Sequence, residues 1–238
     1  MYEETNVNAA SAWQYDEFRQ VGKDYDSAAE VEVYDETHAD FRDIERESEE
    51  TLDRLGLEPG QVLIEFGCGT GTLAICAARR GLRVHAVDVS ETMLARAKAK
   101  AERAGVSGIE FHHAGFLTYR HAGPPADGVT TSLALHHLPD FWKGIALQRI
   151  HGLMVPGARL SLYDVIIEDK DPVATIQAFI DQQEVAGGDF LREDAEIHFR
   201  DEFSTYDWVM EGLLERAGFV MEEKSATDGV LVQYCCRK

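Results

Sequence analysis

The sequence predicts an α/β fold, a doubly wound and mostly parallel sheet with helices on both of its faces. Apolar segments of strand length alternate with helical segments of about ten or more residues, a pattern typical of parallel sheets. A glycine-rich turn separates the first strand from the helix that follows it. The last two apolar segments are joined by Asp228 and Gly229, which predict a hairpin whose last strand runs antiparallel to its neighbours.

The predicted elements follow one another in a regular order. A helix with apolar residues at helical spacing begins at Phe41 and ends near Gly56, ahead of the sheet. Ser90 is the predicted N-cap of a later helix that stops at Gly105. Strands are predicted at 61–66, 83–89, 109–114, 128–135 and 158–166. The other helices are predicted at 72–80, about 139–151 and 204–219, and the hairpin covers 219–237.

The domain organisation follows from composition and length. The 238 residues suit one α/β domain with additions, and residues 59–238 form that domain. Residues 1–58 are predicted to be an N-terminal helical cap, because residues 1–40 are polar yet rich in aromatic side chains that need a surface to dock on. An insertion at about 166–204 separates the fifth strand from the last helix.

The net charge of −20 is concentrated in two segments. Residues 1–58 carry 18 acidic and 5 basic side chains, residues 164–196 carry 10 and 2, and all other residues carry 15 and 16. Such a surface repels phosphate backbones and disfavours a nucleic-acid substrate, although adaptation to salt would produce the same charge.

Signals of membrane, secreted and metal-binding proteins are missing from the sequence. Apolar runs fall short of the roughly 18 residues that span a bilayer, and the N-terminus is acidic, so we expect a soluble, cytoplasmic protein. The four cysteines lack CxxC spacing and are interpreted as reduced thiols, and we expect no metal site. His112 and His113 face opposite sides of the third strand and are interpreted as structural residues.

The glycine turn in "VLIEFGCGTGTLAI" carries the main signal for a ligand. A dinucleotide-binding turn is spaced G-x-G-x-x-G, whereas Gly71 comes one residue early and Thr72 stands in the last position. A phosphate-binding loop ends in Gly-Lys-Ser/Thr, and no lysine lies near this turn. Asp88 ends the second strand 21 residues after Gly67, where it can accept hydrogen bonds from both ribose hydroxyls. A nucleoside with an amino-acid tail in place of phosphates, S-adenosylmethionine, fits these observations.

The successive motifs resemble those of the class I S-adenosylmethionine-dependent methyltransferases. They are "LIEFGCGTGTLA", "VHAVDVSETMLARA", "FHHAGFLTY", "PADGVTTSLALHHLPD", "LMVPGARLSLYDV" and "LLERAGF". Within the family they are most similar to the small-molecule branch that includes the ubiquinone/menaquinone C-methyltransferases. The resemblance covers roughly residues 60–236. It implies a seven-stranded sheet with a reversed last strand, and an enzyme that converts S-adenosylmethionine to S-adenosylhomocysteine.

The resemblance also implies the residues of a cofactor site. Asp88 would hold the ribose hydroxyls, Met93 would pack near the adenine, and Phe116 would flank the base. Relatives often carry an aspartate for the adenine amino group at the position of Gly115, and this sequence lacks it. Tyr25 resembles an N-terminal tyrosine that relatives fold over the cofactor. The implied cofactor-binding set is Tyr25, Glu65, Gly67, Gly69, Gly71, Asp88, Met93, Phe116 and Leu133.

Two histidines are the candidate catalytic residues. His136 and His137 in "LALHHLPD" follow the fourth strand, at the sheet edge where such folds bind ligands. Either can act as a general base at neutral pH. Alternatively, the pair shapes the loop before Pro139 and takes no part in chemistry.

Candidate substrate-binding residues lie in the two acidic segments. Tyr34, His38 and Arg42 are spaced i, i+4, i+8 and therefore share one helical face, which favours contact with the substrate or the cofactor. His198 and Arg200 belong to the inserted segment, where relatives build a lid over the active site.

The sequence thus predicts in-line transfer of a methyl group to an O, N, S or C nucleophile of a small molecule. No "DPPY" or "NPPY" tetrapeptide follows the fourth strand, which disfavours methylation of adenine in nucleic acid. The acidic segments favour a neutral or cationic acceptor. A module that binds S-adenosylmethionine or S-adenosylhomocysteine without catalysis remains an alternative, and an RNA methyltransferase is a less favoured one. The acceptor and the oligomeric state stay open.

Overall fold

The protein was analysed as a computed structural model that describes residues 12–19, 21–22 and 43–238. Its strands are β1 (Val62–Phe66), β2 (Arg83–Asp88), β3 (Ile109–His113), β4 (Ala126–Ser132), β5 (Met154–Ile167), β6 (Thr205–Tyr206), β7 (Val220–Thr227) and β8 (Leu231–Arg237). Its helices are α1 (Ile44–Leu55), α2 (Thr72–Arg79), α3 (Glu91–Ala104), α4 (Asp140–Leu153), α5 (Pro172–Asp201) and α6 (Asp207–Ala217). A short 3-10 helix covers Leu135–His137.

The central sheet has the strand order β3-β2-β1-β4-β5-β8-β7, and this confirms the predicted doubly wound fold. The five strands β1 to β5 are mutually parallel, while β8 runs antiparallel to both β5 and β7. The hairpin predicted at Asp228 and Gly229 is therefore present, and its last strand is reversed. The two-residue strand β6, which the sequence did not predict, pairs with β5 outside this order.

Helices cover both faces of the sheet and bury two separate apolar clusters. Leu52 of α1 and Ala74 of α2 pack with strand residues on one face. Leu147 of α4 and Leu214 of α6 pack with strand residues on the other. All five residues of β1 are buried because this strand lies at the centre of the sheet, between β2 and β4. Among the described helices, none combines the length and the apolar character needed to cross a membrane.

Most element ends have the local causes that the sequence indicated. The Ser90 hydroxyl accepts a hydrogen bond from the Met93 amide at 3.0 Å and caps α3, which ends at the left-handed Gly105.

The predicted end of the fourth strand at residue 135 was wrong. The chain leaves the sheet after Ser132 because Leu133 adopts a φ of 50°, and its amide donates to the carbonyl of Tyr163 at 2.8 Å.

The inserted segment contains a long interrupted helix. The carboxylate of Asp171 caps α5, and Pro172 occupies its first turn. The helix breaks at Gly187 and Gly188, where Gly188 has a φ of 66° and a ψ of −156°. Two adjacent glycines and a polar surface conceal this helix in the sequence, since glycine is the poorest helix former after proline.

The C-terminal end of α5 is fastened to the segment that follows β4. The amide of Phe203 donates to the carbonyl of His136 at 3.0 Å. The fully buried Lys143 donates to the Phe203 carbonyl and, at 2.8 Å, to Asp140. The hydroxyl of Thr205 donates to the same carboxylate of Asp140 at 3.0 Å. These bonds hold residues 202–205 against the end of β4.

The described part of the N-terminal segment packs against the loop that follows β3. The carboxylate of Glu17 accepts hydrogen bonds from the amides of Leu117 at 2.9 Å and Thr118 at 2.7 Å. The rings of Trp13 and Trp142 stack with centroids 6.0 Å apart. An aromatic N-terminal segment that docks on the domain was predicted, and residues 12–19 make such contacts.

Two glycines offer a matched test of packing around the turn. Gly71 and Gly105 both have a left-handed φ, so alanine at either position costs about 1–2 kcal/mol of stability. A Cβ at Gly71 would lie 2.9 Å from the Cβ of Ala97, whereas a Cβ at Gly105 would meet nothing within 4 Å. We expect Gly71→Ala to lose a further 1–3 kcal/mol or so from overpacking. Urea denaturation of the two variants measures the difference, and equal losses would contradict this packing argument.

Candidate active site

A cavity of about 570 Å³ lies at the carboxyl ends of the parallel strands. In doubly wound sheets this edge is where ligands bind. Gly67, Asp88 and Leu133, which follow or end three of the strands, form its floor. Residues of the N-terminal segment and of α5 form its remaining walls. The cavity therefore lies where the sequence predicted a ligand.

The glycine turn and the end of β2 form one wall. The amides of Gly67 and Cys68 both donate to the carbonyl of Val87, which folds the turn back over β2. The Asp88 carboxylate accepts from the amides of Gly69 at 2.8 Å and Ser90 at 2.9 Å. Each carboxylate oxygen can accept more than one hydrogen bond, so Asp88 is oriented by the backbone and still able to bind a ligand.

Glu65 lies behind this wall and carries an unsatisfied oxygen. Its Oε2 is buried and has no hydrogen-bond partner among the described residues. Burial, together with the neighbouring carboxylate of Asp88, raises the pKa of Glu65 to about 8. A buried polar atom without a partner requires an explanation, and a cationic or hydrogen-bonding ligand in the cavity provides one.

Apolar side chains and a second carboxylate follow along the same wall. Met93, Phe116 and Leu133 line the cavity, and Phe116 stacks on Phe66 with centroids 5.1 Å apart. Glu17 lines the cavity as well.

The carboxylate of Glu17 occupies the space of the side chain that Gly115 lacks. A Cβ added to Gly115 would collide with this carboxylate. The chain thus brings an acid from the N-terminal segment to a place where relatives often carry an aspartate. Sequence analysis missed Glu17 because it is about a hundred residues away from this loop and no local pattern marks it.

At the far side of the cavity His136 lies between two carboxylates. Its Nδ1 contacts the Asp164 carboxylate, its Nε2 lies 3.2 Å from Oε2 of Glu202, and its amide donates to Asp164 at 3.1 Å. Burial alone would lower the pKa of His136, but the carboxylates of Asp164 and Glu202 raise it to about 9. Despite its own burial, Asp164 has a lowered pKa because it faces this imidazole. At neutral pH His136 is therefore a buried cation that joins two anions.

The two neighbouring histidines differ from His136. Burial and the adjacent His136 lower the pKa of His137 to about 3, so His137 is neutral at physiological pH. His198 contacts Glu202 through Nδ1 at 2.5 Å and Ser204 through Nε2 at 2.6 Å. His137, His198 and Glu202 all line the cavity. Burial acts against ionisation of Glu202, yet its contacts with His136 and His198 lower its pKa, and it is a carboxylate.

The structure brings only some of the predicted residues to the cavity. Gly71 packs against Ala97, and Arg200 is exposed and pairs with Asp201 at 2.8 Å. Tyr25, Tyr34, His38 and Arg42 lie outside the described residues. The predicted residues that line the cavity are Gly67, Gly69, Asp88, Met93, Phe116, Leu133, His136, His137 and His198.

Asp164 and Glu202 are further residues that the sequence analysis missed. An acidic residue within the apolar strand "LSLYDVII" was the available signal for Asp164. Glu202 carried no such signal, because acidic residues are common in its segment.

Comparison with known proteins identifies the family. The family model described as "Methyltransferase domain" matches residues 63–157. An uncharacterized methyltransferase of Geobacillus kaustophilus (strain HTA426) is 31% identical over 204 residues, which cover 86% of this chain and 87% of the relative. The chain belongs to the class I S-adenosylmethionine-dependent methyltransferases.

Solved structures of methyltransferases and related enzymes share the fold. One is the structure of magnesium protoporphyrin IX methyltransferase from Synechocystis PCC 6803 with bound S-adenosylhomocysteine. It aligns with a TM-score of 0.64 at 17% identity, and the alignment covers 90% of this chain and 96% of that protein. The cyclopropane synthase MmaA2 from Mycobacterium tuberculosis aligns with a TM-score of 0.64 at 14% identity, and the alignment covers 81% of this chain and 83% of the synthase. At these identities the likeness establishes the fold.

This methyltransferase is an enzyme whose cofactor is S-adenosylmethionine, and the cavity suits that molecule. The cofactor carries an ammonium group and a sulfonium, Asp88 presents a carboxylate on one wall, and Glu65 lies behind that wall. The unsatisfied oxygen of Glu65 is consistent with a cationic partner. When bound, S-adenosylmethionine supplies an electrophilic methyl group. We expect Asp88 to accept its ribose hydroxyls and Glu65, Gly67 and Gly69 to face its methionine part.

Replacing Asp88 tests the cofactor site. Asp88→Asn should weaken binding of S-adenosylhomocysteine by about 1–3 kcal/mol, because a ribose hydroxyl loses its charged partner. Asp127→Asn is the matched control, since Asp127 accepts from the Val62 amide at 2.8 Å at the opposite end of the sheet. Isothermal titration calorimetry measures both variants. Unchanged affinity in Asp88→Asn, or an equal loss in Asp127→Asn, would show that the site lies elsewhere.

The buried cation predicts a specific pH dependence of stability. The pKa of His136 is about 9 in the folded chain, whereas an unperturbed histidine, as in the unfolded chain, has a pKa of 6.5. The folded chain therefore binds this proton more tightly than the unfolded chain does. The resulting stabilisation, roughly 3 kcal/mol, is complete below pH 6.5 and disappears as the pH rises to 9. We expect the free energy of unfolding of His136→Gln to fall less steeply than that of the unchanged protein over this range. Parallel pH profiles in urea denaturation would contradict the prediction.

Proposed function

We propose that this methyltransferase acts on a small-molecule acceptor of neutral or positive charge, held between the His136–His137 turn and α5. The observation that carries the proposal is the closure of the far side of the cavity by α5. In this proposal the segment of about 166–204 is a lid, and residues 1–58 form a cap. The α5 residues on the cavity wall are Phe179, Gln182, Gln183, Ala186, Leu191, Asp194, Ala195, Ile197 and His198.

The enclosed volume supports an acceptor of limited size. Donor and acceptor would share a cavity of about 570 Å³, which lies within the usual range of small-molecule sites. Phe203 accepts a hydrogen bond from Lys143 and donates one to the carbonyl of His136, and these bonds fasten the C-terminal end of α5 and restrict the opening at that side.

The charge of the cavity supports a neutral or cationic acceptor. Arg19 is the basic residue that lines it among the described lysines and arginines. A cleft lined mainly by one sign of charge concentrates ligands of the opposite sign and disfavours anions. The acidic residues on its wall are Glu17, Glu47, Asp88, Asp194, Glu202 and Asp228.

Positioning and exclusion of water would account for most of the catalysis. In an in-line displacement the nucleophile of the acceptor must approach the methyl group from the side opposite to the leaving sulfur. Both ring nitrogens of His136 face carboxylates, so we assign it a positioning role for the turn. His137 is neutral and lines the cavity, so it can accept a hydrogen bond from an O–H or N–H acceptor.

The released proton has an acceptor within the same cluster. Methylation of an O–H or N–H nucleophile forms the bond to carbon, breaks the bond from carbon to sulfur and releases one proton. The Glu202 carboxylate lies on the cavity wall and is linked to His198, which also lines the cavity. We assign to His137 the orientation of the acceptor and to the linked Glu202–His198 pair the uptake of the proton.

The size of the acceptor can be measured directly. Incubating the protein with methyl-labelled S-adenosylmethionine and a cell extract, separated by ultrafiltration into small molecules and macromolecules, should label the small-molecule fraction. Nuclease-treated and protease-treated macromolecular fractions serve as controls. Label that appears only in the macromolecular fraction, and is lost on nuclease treatment, would overturn the proposal in favour of RNA.

Variants separate the acceptor side from the cofactor side. Glu202→Gln should lower turnover by about 100-fold, since a positioned proton acceptor contributes at least that much. His137→Gln should also lower turnover, because the acceptor loses the hydrogen bond that orients it. Neither variant should change the affinity for S-adenosylhomocysteine much. Arg192→Gln is the matched control on α5, because Arg192 is half-buried, does not line the cavity and pairs only with Glu184 and Glu196 among its described neighbours. Parallel losses of turnover and cofactor affinity would place these residues in the cofactor site.

A further inference from the structure

A second group of histidines lies at the outer edge of the sheet, away from the active-site cavity. His85 belongs to β2, and Glu110 and His112 belong to the edge strand β3. His85 pairs in register with Glu110, and His112 follows two positions later, so all three side chains emerge on the same face. None of the three lines the active-site cavity.

Their polar atoms converge on one point. The Nδ1 of His85 lies 3.1 Å from the Nε2 of His112 and 3.6 Å from the Oε2 of Glu110. The Nε2 of His112 lies 4.0 Å from the same carboxylate oxygen. Nitrogen and oxygen ligands at 2.0–2.2 Å from a tetrahedral metal lie about 3.4 Å from one another. The three measured separations bracket that value.

The chemistry of the donors suits a particular class of ion. Two imidazole nitrogens and a carboxylate oxygen are ligands of Zn²⁺ and similar first-row divalent cations, whereas Mg²⁺ and Ca²⁺ prefer oxygen alone. His85 is buried, His112 is half-buried and Glu110 is exposed, so the group opens to solvent on one side. A water molecule can complete a tetrahedral site from that side.

Neighbouring side chains hold the group in place without competing for the ion. The ring of His121 lies 4.7 Å from that of His85, and the ring of Tyr119 lies 5.1 Å from that of His112. His121 uses Nδ1 for the Tyr119 hydroxyl at 3.0 Å and Nε2 for the carbonyl of Pro124 at 2.7 Å. His121 is therefore a packing neighbour and leaves three donors for the ion.

We propose that His85, Glu110 and His112 form a binding site for Zn²⁺ or a similar first-row divalent cation. The sequence analysis expected no metal site, because these donors come from two strands and have no recognisable spacing along the chain. A bound ion would tie the edge strand β3 to β2. Through Tyr119 and His121 it would also stiffen the loop that carries Phe116. The site is independent of the methyl acceptor and of the proposed function.

Cobalt provides a spectroscopic test on the full chain. After treatment with a chelator and dialysis, titration with Co²⁺ should give saturable, one-to-one binding with the strong visible absorption of tetrahedral cobalt, and Zn²⁺ should displace it. His112→Gln should weaken the binding by at least about tenfold. His113→Gln is the matched control, since His113 is the next residue on β3 and contacts the carbonyl of Val89 and Glu91 instead.

A second group near the active site must be distinguished in the same experiment. His136, His137 and Glu202 also bring their ligand atoms within 4.8 Å of one another. Glu202→Gln should leave the cobalt spectrum unchanged if the ion binds at the edge of the sheet. Absence of saturable binding, binding retained in His112→Gln, or binding lost in Glu202→Gln alone would each overturn the proposal.

Thermal denaturation checks the role of the ion and the integrity of the variants. Zn²⁺ should raise the Tm of the unchanged protein and of His113→Gln, because a ligand that binds only the folded state stabilises it, and should leave the Tm of His112→Gln unchanged. S-adenosylhomocysteine binding by His112→Gln shows that this variant is folded. Equal Tm increases in both histidine variants would contradict a site at His112.

Discussion

The ion pair between His136 and Asp164 is the interaction on which the far half of the cavity depends. It joins the turn after β4 to the middle of β5, and through Nε2 of His136 it extends to Glu202 at the end of α5. A buried ion pair contributes little net stability, but the loss of one partner is costly because the other charge stays buried. The position of α5 over the cavity is thereby coupled to the protonation of one imidazole.

Acidic groups dominate the cofactor wall of the cavity as well, and their placement is consistent with a cationic methyl donor. Burial and Asp88 raise the pKa of Glu65 to about 8, so this carboxyl is largely protonated when no cation is nearby. A bound cation would favour its ionised form. The two acidic stretches of the sequence meet around the cavity, because Glu17 comes from the first stretch and Asp194 on α5 from the second.

Much of the fold could be predicted from the sequence because it depends on local signals. The apolar residues of β1, the cap at Ser90, the stop at Gly105 and the hairpin turn at Asp228 each act within a few residues of their position. The end of β4 was misplaced because the apolar Leu133 continues the strand pattern, while its backbone turns out of the sheet to bond Tyr163.

The site was less predictable because tertiary contacts assemble it. The cofactor wall follows the glycine turn and could be anticipated, whereas Glu17 and Glu202 reach the cavity only when distant segments pack together. From the sequence alone, His136 and His137 were equal candidates for the general base. Their surroundings separate them, since His136 is enclosed by two carboxylates and His137 is neutral.

The break in α5 divides its contribution to the cavity wall into two parts. Gly188 adopts backbone angles that only glycine tolerates, and added side-chain atoms there would meet nothing within 4 Å. The part after the break is bonded through His198 to Glu202, which contacts His136 in the turn after β4. The part before it, with Phe179 and Gln182, also lines the cavity, and it contacts the later part through the Phe179–Phe199 ring pair and the Glu184–Arg192 ion pair. Under the proposed function, residues 172–186 are therefore the part of the wall that can vary with the acceptor while the contact of His198 with Glu202 is kept.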